Sequence, residues 1–179
     1  MIETSWIADD DSGALGRPYF DLYRFAFPGI VQLVLPMAMR HQSWQPLKST
    51  FFNGEAIYDS FWDAEESRGR EFMGKSFRIK KKYGDLFASD SPSPAVDTPL
   101  TGVYCNVYPK GNEVLYAFYN RANKTMRGPL LDLPYEEGVS YYDAWNERPC
   151  ETERRGDRIL ILGSVDAQDV GCIVSSKSN

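Results

Sequence analysis

The sequence predicts an α+β fold in which an N-terminal segment with one long helix packs against a C-terminal antiparallel β-sandwich. Two observations support this prediction. Over residues 64–88 the apolar side chains recur at intervals of three and four, which is typical of an amphipathic helix. After Pro92 every apolar run is short and is interrupted by Gly, Pro or Asn, which is typical of the short strands of a sandwich.

The region before the helix contains two candidate strands, at residues 30–35 and 51–56, and an aromatic-rich segment that precedes them. Residues 19–27 are rich in aromatic side chains and end at the turn signal Pro28-Gly29. Residues 30–35 are almost continuously apolar and are followed by Pro36, so they predict a strand that is covered on both faces, as in a parallel sheet. Residues 51–56 predict a further short strand.

The helix over residues 64–88 is the best-supported element. Asp63 is a suitable N-cap, and acidic side chains follow it in the first turn, where they favour the helix dipole. The basic run at residues 78–82 lies near the other end, and we expect it to be a solvated face of the helix. One stripe of the helix carries the residues Phe72, Ser76, Ile79, Tyr83, Leu86 and Phe87.

The second half of the chain is expected to supply the strands of the sandwich. Hairpin turns are predicted at residues 110–112 and 155–157, each around a glycine. We therefore divide the chain into an N-terminal segment at 1–90, a linker at 91–95 and a β-sandwich domain at 96–179. The predicted strands cover residues 103–108, 114–119, 130–133, 140–145, 158–162 and 171–175.

A family resemblance rests on three consecutive motifs. Residues 113–120 read EVLYAFYN, residues 128–134 read GPLLDLP, and residues 141–146 read YYDAWN after a turn. This succession resembles the small β-sandwich that closes many retaining (β/α)8-barrel glycoside hydrolases of the α-amylase-like kind. Residues 53–89 resemble the last βα unit of such a barrel, so the likeness extends from Phe51 onward.

The resemblance implies that the chain is a C-terminal fragment or accessory domain of a carbohydrate-active enzyme. Its partners would then be a carbohydrate and the remainder of a barrel domain. A full barrel needs about 250 residues, so we expect no hydrolysis by this chain alone. Two alternatives remain open, namely a non-catalytic β-sandwich carbohydrate-binding module and a structural interaction protein without a ligand.

Composition excludes several other classes of function. The net charge of −5 gives no electrostatic case for binding nucleic acid or an anionic membrane surface. No apolar stretch has the length of a bilayer span, and no secretory leader is recognisable. The three cysteines lack metal-type spacing, and neither a phosphate loop nor a dinucleotide fingerprint is present. We therefore expect no metal and no cofactor.

Glycosidase chemistry requires two carboxylates beside the scissile bond, and barrel enzymes carry them at the C-terminal ends of strands. Glu55 follows the Asn53-Gly54 break and precedes the helix, so we predict it as the catalytic carboxylate. Tyr58, Asp59 and Trp62 share its loop and are predicted to bind substrate, with rings against apolar sugar faces and the carboxylate on hydroxyls. In the alternative interpretation these residues only solvate the loop and pack beneath it.

A second candidate group follows the strand at residues 30–35. His41 and Trp44 are interleaved with glutamines, and such a cluster is suited to sugar hydroxyls. A lone histidine in a loop is also commonly incidental. In the sandwich, Trp145 is interpreted as a packing residue and Asp143 as a hydrogen-bonding residue at a strand end, with Tyr141 or Tyr142 as an alternative sugar platform.

Overall fold

The computed structural model describes residues 2–6, 20–35, 45–57 and 67–178. Its helices are α1 (Leu22–Ala26), α2 (Gln45–Phe52) and α3 (Ser67–Phe87). Its strands are β1 (Ile2–Trp6), β2 (Val31–Leu35), β3 (Ala56–Ile57), β4 (Ser93–Val96), β5 (Val103–Lys110), β6 (Glu113–Asn120), β7 (Met126–Pro134), β8 (Val139–Asp143), β9 (Arg148–Pro149), β10 (Glu151–Arg155), β11 (Arg158–Val165) and β12 (Val170–Lys177).

The N-terminal strands form a parallel sheet in the order β1-β2-β3. The expectation of a strand over residues 51–56 is wrong for its first half, because Phe51 and Phe52 end α2. Leu47 and Phe51 are four residues apart and both buried, so they lie on one face of a helical turn that packs into the core. Gly54, with φ +69°, then turns the chain into β3.

The C-terminal half is an antiparallel β-sandwich, as predicted. Six strands form one sheet in the order β4-β5-β6-β12-β8-β9, and three form a second sheet in the order β10-β11-β7. The alternation of side chains along β6 decides which core each residue enters. Tyr116 and Phe118 pack toward the three-stranded sheet, whereas Leu115 and Ala117 pack toward the helices.

Helices α2 and α3 form a third layer on the outer face of the six-stranded sheet. Their buried side chains include Phe51, Phe72 and Leu86, and these share one core with Leu115 and Trp145 from the sandwich. The predicted helix over 64–88 corresponds to α3, and residues 64–66 lie outside the described residues. The packing of the sandwich against this helix therefore agrees with the predicted fold class.

Four of the described strands were not predicted, and the first of them is β1 at Ile2–Trp6. Residues 93–96, within the expected linker, form β4 and pair with β5 at the edge of the six-stranded sheet. Strand β9 is only two residues long, and every residue of β10 is exposed, so neither shows an apolar alternation in the sequence. The division of the chain into domains at 91–95 stays a prediction.

Candidate functional site

The carboxyl ends of the three parallel strands meet at one edge of their sheet. Trp6 pairs with Leu35, and Ile57 pairs with Val34, so the last residues of β1, β2 and β3 lie side by side. We call this the carboxyl edge. In parallel βα folds it is the edge at which catalytic and binding residues gather.

Five of the six predicted site residues follow these strand ends in the sequence. His41 and Trp44 come after Leu35, and Tyr58, Asp59 and Trp62 come after Ile57. All five lie outside the described residues, so their predicted role in substrate binding stays a prediction.

Glu55 lies at the opposite edge. It directly precedes β3, whose first residue is Ala56, and so stands at the amino edge of the parallel sheet. The expectation that Glu55 would follow the C-terminal end of a strand is wrong. The reason is that α2 continues through Phe52, which leaves only the turn at Asn53-Gly54 before the chain enters β3.

The side chain of Glu55 is buried within a polar network. The residue is 1% exposed, and its backbone N–H donates to the carbonyl of Thr50 at 3.0 Å. The side-chain amide of Gln32, with its nitrogen facing two carboxylates, donates to Glu55 Oε1 at 3.1 Å and to Asp21 Oδ2 at 3.2 Å. One amide from β2 therefore bridges carboxylates from two other segments of the chain.

Two cations close the same network. Lys80 of α3 donates from Nζ to the backbone carbonyl of Glu55 and lies 5.7 Å from the centre of the Phe87 ring. Burial lowers the pKa of Lys80 to about 8, and the nearby charge of Glu55 partly opposes this shift. Arg24 of α1 is buried and donates to the carbonyls of Phe87 and, at 3.4 Å, Pro28.

The position of Lys80 corrects one further expectation. The basic run at residues 78–82 was expected to be a solvated face, and Lys81 and Lys82 are exposed. Lys80 instead falls on the buried stripe, four residues after Ser76 and three before Tyr83. That spacing is the one signal in the sequence that separates Lys80 from its neighbours.

Polar contacts also attach the sandwich to the amino edge. Tyr108 of β5 donates from its hydroxyl to the carbonyl of Phe52 at 2.8 Å, and the amide of Asn106 donates to the same carbonyl at 3.1 Å. The backbone N–H of Asp21 donates to Asn53 Oδ1 at 3.1 Å. Burial raises the pKa of Tyr108 well above its ordinary value, so its hydroxyl remains a neutral donor.

The amino-edge network borders an open cavity of about 210 Å³ that is lined by Arg24, Gln32, Glu55, Lys80 and apolar groups. The groups around it satisfy one another and join β2, β3, α1 and α3. This arrangement is suited to holding the elements in register, because buried charges are tolerated only when they are paired and hydrogen-bonded. The network could not be anticipated from any local motif, since Asp21 and Lys80 alone lie 59 residues apart in the sequence.

The sandwich residues singled out in the sequence have packing roles. Trp145 is 8% exposed, with ring centres of Phe51 and Phe72 at 5.1 and 5.5 Å. Asp143 ends β8 and accepts from the backbone and side-chain nitrogens of Asn146 at 3.0 and 2.8 Å. Tyr141 and Tyr142 pack toward opposite cores, so they do not form a joint platform.

Within the described ranges, no three His, Cys, Asp or Glu side chains come together closely enough to hold a metal ion. None of the described helices has both the length and the apolar character required to cross a bilayer.

Comparison with solved structures finds the same fold in several carbohydrate-active proteins. An α-amylase from Geobacillus thermoleovorans superposes with a TM-score of 0.58 at 6% identity, over 83% of this chain and 40% of that chain. A cyclomaltodextrin glucanotransferase with a three-domain ABC distribution gives 0.54 at 9% identity, over 85% and 38%. The α-galactosidase I of Mortierella vinacea gives 0.54 at 7% identity, over 84% and 41%.

The chain spans only about two fifths of the length of these proteins. No family model matches the sequence, and a comparison with curated proteins finds no match. At these identities the likeness concerns the fold. The chain has the fold of the C-terminal part of α-amylase-like glycoside hydrolases.

Proposed function

We propose that this chain is the C-terminal part of a carbohydrate-active glycoside hydrolase, and that the carboxyl edge of its parallel sheet faces the substrate. The observation that carries this proposal is the direction of the strands. Trp6, Leu35 and Ile57 end at one edge. Each of the two predicted sugar-binding groups lies in the segment that follows one of these ends in the sequence.

The partner of this part is the remainder of a barrel. The parallel sheet has three described strands, and its outer strands β1 and β3 each pair on one side only within the described residues. A closed barrel of this class has eight strands. Open strand edges are a template for further pairing, so additional parallel strands would complete both sides.

Exposed apolar side chains on and after α1 support the same partner. Leu22 is 67% exposed and Phe27 is 50% exposed, and Tyr23 packs against Phe27 with 4.7 Å between ring centres. Large exposed apolar groups that cluster in this way mark a surface that another element covers. In a barrel, the preceding βα unit would occupy this position.

The chemical step then depends on carboxylates at the carboxyl edge. Glu55 lies at the amino edge and is enclosed by Gln32 and Lys80, so its surroundings favour a stabilising role over catalysis. Asp59 remains the candidate for binding substrate hydroxyls after β3. A double displacement needs two carboxylates facing one sugar, and we assign both to the complete barrel.

The alternative of a free-standing carbohydrate-binding module gains no support from the sandwich. Such modules present two or three coplanar exposed rings to the polysaccharide. Within residues 96–178 the exposed large hydrophobic side chains are Val96 and Tyr135, and the guanidinium of Arg154 lies 3.7 Å from the ring centre of Tyr135.

Turnover of 4-nitrophenyl α-glucoside and α-galactoside tests the proposal. The 179-residue chain alone is expected to show none. In the enzyme completed by the remaining barrel strands, Asp59→Asn and Trp62→Ala should each lower kcat/KM at least about tenfold, since each removes a substrate contact. Asp85→Asn, an exposed change on α3, is the matched control. The proposal would be contradicted if the isolated chain turned over either substrate, or if Asp59→Asn and Trp62→Ala kept the parental kcat/KM.

A further inference from the structure

A second, larger cavity lies between the helices and one end of the sandwich. Its volume is about 490 Å³, which falls within the usual range of small-molecule sites, about 300–1,000 Å³. Lys48 of α2 and Glu71, Phe72 and Lys75 of α3 form one wall. The opposite wall consists of Trp145 and Asn146, which follow β8, and of Asp166 and Asp169, which connect β11 to β12.

The cavity lies away from the amino-edge network. Lys80 contacts Glu55 at the amino edge, and Phe72 precedes Lys80 by eight residues along α3. At the rise of an α-helix this separates them by about 12 Å along the helix axis. None of the residues that line this cavity lines the amino-edge cavity, so the two are separate.

Charges in the cavity are mixed rather than of one sign. Two lysines face three carboxylates, and Lys48 is already engaged, donating to the carbonyl of Gln168 at 2.7 Å and lying 3.5 Å from Asp169. A strongly anionic ligand would meet the carboxylates, and a strongly cationic one would meet the lysines. The lining therefore favours a neutral ligand that both donates and accepts hydrogen bonds.

Two polar side chains in the cavity remain available for such a ligand. No hydrogen bond or ion pair joins Glu71 to another described residue. Lys75, one helical turn later on the same face, has its Nζ 5.2 Å from the centre of the Trp145 ring and likewise contacts no described carboxylate. The pair offers one acceptor and one donor beside an apolar wall of Phe72 and Trp145.

The two sandwich turns that border the cavity are held in uncommon backbone conformations. Glu147 has φ +56° and Gln168 has φ +50°, although neither is a glycine. Gln168 is fixed by its backbone N–H, which donates to Ala122 at 3.0 Å, and by its side chain, which donates to Asn123. Strain of this kind persists where surrounding contacts hold it, and it is frequent near ligand sites.

We propose that this cavity binds a short neutral oligosaccharide, with Glu71 accepting from sugar hydroxyls and Lys75 donating to them. The choice of carbohydrate as the ligand class rests on the proposed function, whereas the location and the contacts rest on the cavity itself. This site would hold a chain of sugar units between the helices and the sandwich, on residues other than those predicted at the carboxyl edge.

Titration of the 179-residue chain with maltotriose, a neutral α-glucan fragment, tests the proposal. NMR signals of the Trp145 indole N–H should shift and saturate, and calorimetry should give the Kd. Glu71→Gln and Lys75→Met should each weaken binding about tenfold or more, since each removes a charged hydrogen-bonding group. The controls Asp85→Asn and Lys81→Met, exposed positions on the same helix outside the cavity, should stay within about twofold of the parent.

The carboxyl-edge variant Trp62→Ala separates the two proposals. Retained maltotriose binding in Trp62→Ala, together with weakened binding in the cavity variants, supports a separate site. Loss of binding in Trp62→Ala with parental binding in the cavity variants overturns the cavity site and leaves the proposed function standing. If the NMR signal of the Trp145 indole N–H does not shift with maltotriose, the cavity site is also overturned. The proposed function is then tested separately by the turnover assay. Because Glu71 is exposed, unchanged melting of Glu71→Gln shows that lost binding is not lost folding.

Discussion

Replacement of Glu55 by Gln separates a stabilising carboxylate from a catalytic one. The change keeps the shape of the side chain but removes a charge that is 1% exposed and acts on Lys80. Breaking a buried charge pair costs about 3–5 kcal/mol. Here we expect a smaller cost for two reasons. Lys80 is only partly buried. Gln32 also holds a second carboxylate, that of Asp21, close to Glu55, so removing the Glu55 charge removes a repulsion as well. We expect a loss of about 2 kcal/mol, which for a chain of this size is a fall of about 4–8 °C in Tm.

The assay is thermal and urea unfolding of the parent, Glu55→Gln, Lys80→Met and the double variant. If the charges interact, the cost of Glu55→Gln should shrink in the Lys80→Met background, as in any cycle of coupled residues. Glu137→Gln, at an exposed loop position, should change stability by no more than about 0.5 kcal/mol. The reasoning is refuted if Glu55→Gln unfolds like the parent while the completed enzyme loses orders of magnitude in kcat, because that pattern belongs to a catalytic group.

Two further predictions concern the cores. Ser76 has the one buried side-chain oxygen without a hydrogen-bond partner in the described part of the chain, so Ser76→Ala should raise the free energy of unfolding by about 1 kcal/mol. Ile79→Ala, one turn later and equally buried, should lower it by about 2–5 kcal/mol, and equal effects of the two changes in urea unfolding would contradict this contrast. Burial raises the pKa of the Cys172 thiol well above its usual range, whereas the unfolded thiol ionises near pH 8.5. The unfolded chain then binds fewer protons, so stability is lost as the pH rises above 8.5, and the deficit of Cys172→Ala relative to the parent should be smaller by about 2 kcal/mol at pH 10 than at pH 8. A pH-independent deficit in urea unfolding would count against this linkage.

Much of the sandwich could be predicted from the sequence because its signals are local. The apolar alternation of β6 and the glycine turn at Gly111 lie within single hairpins, and α3 shows its period over five turns. Strand β10 has the sequence ETERR and is fully exposed, so its pairing with β11 leaves no apolar pattern to find. Residues 51–56 were mistaken for a strand because two adjacent phenylalanines fit a strand as well as the buried end of a helix.

The site was harder to predict because its geometry is non-local. Whether Glu55 stands before or after a strand depended on where α2 ends, and element boundaries are what periodicity defines least well. Its partners Gln32 and Lys80 come from β2 and α3, and no spacing rule links three residues so far apart in the chain. Only the spacing of Lys80 from Ser76 and Tyr83 separates it from the solvated lysines that follow it.

The two edges of the parallel sheet explain why the position of an acidic residue relative to a strand tells more about its role than its residue type does. At the amino edge, carboxylates and cations are gathered into one buried network that also receives Tyr108 and Asn106 from the sandwich. Groups that are paired and hydrogen-bonded in this way stabilise the junction. The carboxyl edge is connected to no such network among the described residues, and its strand ends lead directly into the segments that contain His41, Trp44, Asp59 and Trp62. For an acidic residue near a strand of this sheet we therefore expect a stabilising role when it precedes the strand, as Glu55 does, and propose a role in substrate binding when it follows the strand, as Asp59 does.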